Sequence, residues 1–126
     1  MTGTLEHANI TVRDPDQTAA WLADVFGWHI RWRGDAAMGG HTIHIGTDNS
    51  YLAIYSQGAT NRVKGTTHKQ IGGLNHVGIT VDDLDATEAR VHAAGFETTN
   101  HGDYEPGRRF YFTDADSIEF EIVSYA

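Results

Sequence analysis

Apolar and polar residues alternate in two short segments that are nearly copies of each other. Ala8, Ile10 and Val12 alternate with His7, Asn9 and Thr11, and Val77, Ile79 and Val81 alternate with His76, Gly78 and Thr80. Successive strand side chains point to opposite faces, so each segment predicts a strand with one apolar face and a histidine-led polar one. The match of His, Ile, Thr, Val and Asp at an offset of 69 extends through Asp16 and Asp85 to Gly27-Trp28 and Gly95-Phe96, where the offset becomes 68. Strand, helix and following strand are therefore duplicated. After the first strand, Asp14-Pro15-Asp16 supplies a capping carboxylate and an early proline, and Trp21, Leu22, Val25 and Phe26 recur at helical spacing until Gly27. Strands are predicted over 28–33 (Trp28, Ile30 and Trp32 on one packing face), 42–46 (Ile43 and Ile45 inward) and 51–55 (Leu52 and Ile54 inward).

The second unit repeats this plan. A helix is expected over 84–94 with Leu84, Val91 and Ala94 inward, and strands near 96–99, 109–113 and 118–124. The segment 56–73 has no apolar period and reads as a linker, long enough to reach a partner subunit. Gly102, Pro106 and Gly107 mark 100–108 as a mobile loop. The predicted fold is α+β: one domain of two tandem βαβββ modules, about 1–57 and 73–126 with a linker over about 58–72, forming a curved mixed sheet around a cleft.

Composition narrows the function. With 126 residues, 40% of them hydrophobic, two half-size modules must share a core. A net charge of -8 without a basic cluster argues against nucleic acid, whose phosphates are met by Lys and Arg. Cysteine is absent, which removes disulfide and thiolate chemistry and makes a reducing compartment the default. No apolar stretch approaches the roughly 20 residues of a membrane span, and the first residues lack the pattern of a signal peptide. A cytoplasmic protein with a small-molecule substrate, and neither nucleic-acid nor membrane partners, is expected. A homodimer is expected as well, since modules this small leave apolar surface to cover.

The candidate chemistry lies on the polar strand faces. With Ile118, Phe120 and Ile122 inward, Glu119 and Glu121 share the face of His76, and His7 opens the equivalent strand. Two imidazoles and a carboxylate are the donor set that holds Fe(II), Mn(II) or a similar ion with positions left open. The same parity places Thr42, His44 and Gly46, then Arg109, Tyr111 and Thr113, on the polar face. His44 is a candidate general base, against the reading that this histidine-rich chain simply displays it at the surface. Arg108 and Arg109 are candidates to clamp a carboxylate, phosphonate or phenolate, or else are solvated loop charges. Tyr51, Tyr55 and Tyr111 give the cleft an aromatic lining.

These residues resemble the vicinal oxygen chelate superfamily of glyoxalases, bleomycin-binding proteins, fosfomycin-inactivating transferases and extradiol dioxygenases. The resemblance rests on His7-Ala-Asn-Ile-Thr-Val-x-Asp, Trp21-Leu22 through Val25-Phe26-Gly27-Trp28, His76-Val-Gly-Ile-Thr-Val-x-Asp, Gly95-Phe96, and Phe110-Tyr-Phe-Thr-Asp-Ala-Asp followed by Glu119-Phe-Glu121. It implies paired βαβββ modules and metal ligands at the start and near the end of each module: His7, Ala53, His76 and Glu121, with Glu119 in reserve. Alanine cannot coordinate, so the implied metal set is His7, His76 and Glu121, holding a divalent ion (Fe, Mn, Zn or Ni). His44 and Tyr111 become the catalytic candidates, and Tyr51, Tyr55, Arg108 and Arg109 the substrate-binding ones. Three ligands suit dioxygenase-like or transferase-like chemistry. The alternatives are a glyoxalase-type lyase or isomerase, and a metal-free protein that sequesters a small molecule as bleomycin-binding proteins do. Whether the modules pair within one chain or by exchange between two is left open by the sequence.

Overall fold

The computed structural model describes residues 1–58 and 61–126; Ala59 and Thr60, within the expected linker, lie outside the described residues. The chain divides into two compact units, Met1–Thr60 and Asn61–Ala126. The first contains β1 (His7–Thr11), α1 (Pro15–Phe26), β2 (His29–Asp35), β3 (His41–Gly46) and β4 (Tyr51–Ser56). The second contains β5 (Val77–Thr80), α2 (Leu84–Ala93), β6 (Thr98–Tyr104), β7 (Gly107–Thr113) and β8 (Glu119–Ser124). The sheets have the orders β1-β4-β3-β2 and β5-β8-β7-β6. The first and last strands of each unit pair in parallel and the rest antiparallel. Each unit is thus the βαβββ module that the repeat predicts, and the fold is α+β.

The duplication extends to the caps. The Asp14 side chain accepts from the Gln17 amide at 3.2 Å, and Asp83 from the Ala86 amide at 3.0 Å. Each cap satisfies a backbone donor that the first helical turn leaves free. Gly27 ends α1 with φ 68°, a left-handed conformation open to glycine at little steric cost. In the first unit Leu22 and Val25 of α1 and Ile43, Ile45 and Ile54 of the sheet are sealed from solvent. In the second, Phe110, Phe112, Phe120 and Ile122 are sealed with Val91 of α2, and the Phe112 and Phe120 rings stack 5.1 Å apart. Burial of such a side chain contributes about 1.5–3 kcal/mol, so these residues hold each sheet to its helix. The opposite faces keep the polar residues.

Three expectations are corrected. The face assigned to Trp28, Ile30 and Trp32 breaks at a bulge: Ile30 opposes Ile45, but Trp32 opposes His44 and is 50% exposed. One inserted residue reverses the alternation, putting Trp32 on the polar face. Ala94 is exposed, because α2 ends at Ala93 and Ala94 only caps it, its N–H bonded to the Arg90 carbonyl at 3.0 Å. Finally, 100–108 is no loop: β6 and β7 form a hairpin in which Tyr104 opposes Gly107, so the turn is Glu105-Pro106 alone and Gly102 lies within β6 opposite Arg109.

The expected linker is partly structured. Gln70 Nε2 donates to the carbonyls of Lys64 and Thr66 at 3.0 and 2.9 Å, and Thr67–Lys69 form one 3-10 turn. Among the described residues no helix is long and apolar enough to cross a membrane.

Candidate functional site

In the second unit Glu121 is the hub of the polar face. Register sets Gly78 and Tyr111 on either side of it. Its Oε2 accepts from Arg109 Nη1 at 2.7 Å and from the Tyr111 hydroxyl at 2.9 Å, and its Oε1 lies 3.1 Å from His76 Nε2. The side chains of Arg109 and Glu121 are 13% and 15% exposed. Burial alone would raise the Glu121 pKa, but the hydrogen bonds from Tyr111 and Arg109 outweigh it and hold the carboxyl below its ordinary range. Arg109 is correspondingly pushed up by its bond to Glu121, and Tyr111 by burial and by donating to the carboxylate.

The other nitrogen of His76 explains what this pair is suited to. Nδ1 lies 2.7 Å from Asn75 Oδ1, an oxygen that can only accept, so Nδ1 carries a proton. Nε2 then faces an anionic carboxylate oxygen, a contact made either by a ring N–H donated to the carboxylate or by a cation held between the two. Two bonds of about 2.1 Å to one ion, meeting at roughly a right angle, separate their donor atoms by about 3 Å. The 3.1 Å between His76 Nε2 and Glu121 Oε1 fits that. The turn before β8 supports the placement. Asp114 Oδ1 accepts from the Asp116 and Ile118 amides, both at 2.9 Å, and Ser117 adopts φ 66°. Burial raises the Asp114 pKa.

Glu119 is engaged elsewhere, 3.0 Å from His68 Nε2. Arg108 donates to Asp85 at 3.0 Å. Adjacent strand residues face opposite ways, so Arg108 and Arg109 do not form the joint clamp that their sequence adjacency suggests.

In the first unit the equivalent face carries His7, His44 and Tyr51. Tyr51 stacks on both imidazoles, with centroids 4.8 Å from His7 and 4.7 Å from His44, and the two imidazoles are 6.5 Å apart. Nδ1 of His7 lies 2.8 Å from Glu6 Oε1, which also accepts from the Tyr51 hydroxyl at 3.2 Å. These two hydrogen bonds, His7 first, lower the Glu6 pKa. Glu6 and Asn75 are separated by the repeat offset of 69, so both strand-opening histidines are oriented through Nδ1 by the preceding side chain. Histidines that bind metals through one nitrogen are commonly oriented this way through the other. The offset itself is the signal that would have found Glu6 and Asn75, which sequence reasoning missed.

His44 has its pKa lowered, chiefly by burial and then by the charges of His7 and Arg31. Its ring is therefore neutral at neutral pH, as a general base requires. Ala53 opposes both His44 and Asn9 and is buried on this face; Tyr55 opposes Thr42 and Thr11. Arg31 lies with its guanidinium 4.4 Å from the centre of the Tyr51 ring. Among the described residues no three His, Cys, Asp or Glu side chains converge closely enough to hold an ion by themselves. The gathered pair is His76 with Glu121, and His7 belongs to the other unit.

Comparison with known proteins agrees with this architecture. No curated protein matches in sequence. A solved glyoxylase/bleomycin resistance protein/dioxygenase domain from Frankia sp. EAN1pec superposes with a TM-score of 0.82 at 23% identity, covering 98% of both chains. The fosfomycin resistance protein FosX from Mesorhizobium loti gives 0.74 at 22% identity, over 98% of this chain and 92% of that one. FosX from Listeria monocytogenes, solved with Mn(II) and sulfate, gives 0.76 at 20% identity, over 98% and 93%. At these identities the likeness is one of fold. The sequence model of the Glyoxalase/Bleomycin resistance protein/Dioxygenase superfamily matches residues 4–122, and with two βαβββ units of identical strand order the chain belongs to that superfamily.

Proposed function

We propose that the protein is a divalent-metal-dependent enzyme acting on a small substrate that presents neighbouring oxygens to the ion. His76 Nε2 and Glu121 Oε1 serve as two ligands, and the family resemblance implies His7 as a further one. The observation that carries the reading is the 3.1 Å approach of His76 Nε2 to Glu121 Oε1, a separation that fits two donors on one ion, with Nδ1 anchored on Asn75. A mixed imidazole and carboxylate set suits Mn, Fe, Zn or Ni, and the Mn(II) of the Listeria FosX structure supports the choice of probe. When bound, such an ion acts as a Lewis acid toward the substrate oxygens.

The remaining roles fall to the chain's own side chains. Arg109 and Tyr111 grip Glu121 Oε2 and fix the direction of Oε1, so both act as positioning residues, and Tyr111 donates its proton to the carboxylate rather than to substrate. His44 Nε2 or Nδ1 accepts a proton from substrate or water. Its lowered pKa extends the active range toward acid pH: activity is lost only once pH falls through a value below the ordinary imidazole ~6.5. Tyr51 and Tyr55 line the substrate face. Ala53 supplies no fourth ligand, which favours dioxygenase-like or transferase-like chemistry over glyoxalase-type isomerisation.

A second reading, a metal-free module that sequesters an aromatic molecule, draws on the Tyr51, His44 and Trp32 face. Elemental analysis of protein purified without an affinity tag separates the two. About one ion per chain is expected. His7→Ala, His76→Ala or Glu121→Gln should each weaken Mn(II) binding by more than about 10- to 100-fold, the loss typical even of groups that only orient ligands. Stoichiometric metal in a His7→Ala, His76→Ala double variant would overturn the assignment.

A further inference from the structure

The polar face of the first sheet holds one large side chain that neither the core nor the metal reading uses. Trp32 is half exposed, and its indole packs on one side against His44, with ring centroids 5.2 Å apart at 54°. Two departures from regular strand structure put it there. The bulge between Ile30 and Trp32 turns it away from the core, and bulges commonly re-aim a side chain beside a functional site. Gly34 clears its seat: a Cβ at that position would lie 2.8 Å from indole Cζ2 and 2.9 Å from Cη2. Glycine is a poor strand residue, and here its bare backbone is what the indole lies over. The bulged residue, Arg31, is exposed beside the same face, its guanidinium over the Tyr51 ring and one nitrogen 3.3 Å from the Thr47 carbonyl. A half-exposed indole seated against His44 and over Gly34, with the cation of the neighbouring residue beside it, suits a flat π-system that carries a negative group.

We propose that Trp32 and Arg31 form a subsite for a planar aromatic anion, such as an aryl carboxylate, with the ring on Trp32 and the anionic group at Arg31. That this is the substrate's aromatic portion rests on the proposed function; the subsite itself does not. It goes beyond metal chelation by naming what the substrate carries outside its chelating oxygens.

The test is calorimetry at low salt with 2-naphthoate, cyclohexanecarboxylate (same charge, no π face) and 2-naphthalenemethanol (same ring, no charge). It is run on protein treated with EDTA and again with Mn(II). 2-Naphthoate should bind, with cyclohexanecarboxylate at least about tenfold weaker, the factor that one stacking contact supplies. Trp32→Leu should weaken 2-naphthoate about tenfold and leave cyclohexanecarboxylate unchanged. Gly34→Ala should weaken it as well while retaining the indole, since the added methyl displaces Trp32 from its seat. Arg31→Gln should weaken 2-naphthoate and not 2-naphthalenemethanol. Mn(II) content should be the same in all three variants. Undiminished 2-naphthoate binding by Trp32→Leu, or no binding by the unmodified protein in either condition, overturns the subsite. Absence of metal with the binding pattern intact overturns the metalloenzyme reading alone.

Discussion

Replacing Glu121 with glutamine in metal-free protein separates the structural role of this carboxylate from any role as a ligand. Glutamine keeps the shape and removes the charge that Arg109 and Tyr111 address at 2.7 and 2.9 Å. Breaking a buried ion pair from one side costs about 3–5 kcal/mol because the surviving charge is left uncompensated. Here both partners keep some exposure, 13% and 15%, so water reaches them and the lower end, about 3 kcal/mol, applies. Arg109→Met should cost less, about 2 kcal/mol, since Glu121 keeps its bond from Tyr111 and its approach to His76. The double variant has neither orphan, so its loss should fall about 2 kcal/mol short of the two singles added together. Urea denaturation at pH 7 in EDTA measures all four corners of this cycle. Double-variant loss equal to the sum within about 0.5 kcal/mol would mean that the pair is not coupled and that Glu121 is not the hub described. The pH dependence gives a second check. A carboxyl whose folded pKa is depressed stabilises fully above its unfolded pKa and loses that contribution as pH falls through the folded value. The difference between unmodified and Glu121→Gln protein should therefore shrink below about pH 4.5.

Glu88 on α2 should behave similarly on the other face of the second unit. Burial raises its pKa, but hydrogen bonds from Thr98 and His101 prevail and hold it low, so Glu88→Gln should lower stability at pH 7 by about 1 kcal/mol, with the effect fading as acid protonates the native carboxyl. Equal destabilisation at pH 7 and pH 3 would refute it. Ser117 holds φ 66° in the turn before β8, so Ser117→Gly should raise stability by about 0.5 kcal/mol once the looser unfolded glycine chain offsets part of the steric relief; a loss of stability in thermal unfolding would contradict this.

Local rules were enough for the elements, because most of each element is set by its own period and caps. The helix starts at Asp14 and Asp83, the inward Ile43, Ile45, Phe120 and Ile122, and the shared face of His76 and Glu121 all follow from spacing and charge. What failed were features decided by one residue of register or by partners far along the chain. The bulge that moves Trp32 has no composition signal, since Ile-Arg-Trp reads as unbroken alternation. Gly102, Pro106 and Gly107 read equally well as a loop or a hairpin turn, and only the pairing of β6 with β7 decides. The engagement of Glu119 by His68 joins positions 51 residues apart and could not be anticipated from either strand.

Duplication also shows where the halves have diverged, because strand register makes their positions comparable. His7, His44 and Ala53 in the first sheet occupy the places of His76, Tyr111 and Glu121 in the second: His44 opposes Ala53 as Tyr111 opposes Glu121. The histidine is kept in both, with its Nδ1 anchored on the preceding side chain in both. The carboxylate is present only in the second unit, and there Tyr111 is committed to it. In the first unit the same position is a methyl group, so the facing imidazole has no carboxylate across the strand to bind its proton. Burial can then depress the His44 pKa, the state a base needs, where an acidic neighbour at Ala53 would have raised it. The place of Trp32 is taken by Thr99 in the second unit, since each opposes the corresponding β-strand residue, His44 or Tyr111. An acidic neighbour favours the charged imidazole and burial the neutral one, and the two copies of the sheet supply one setting each.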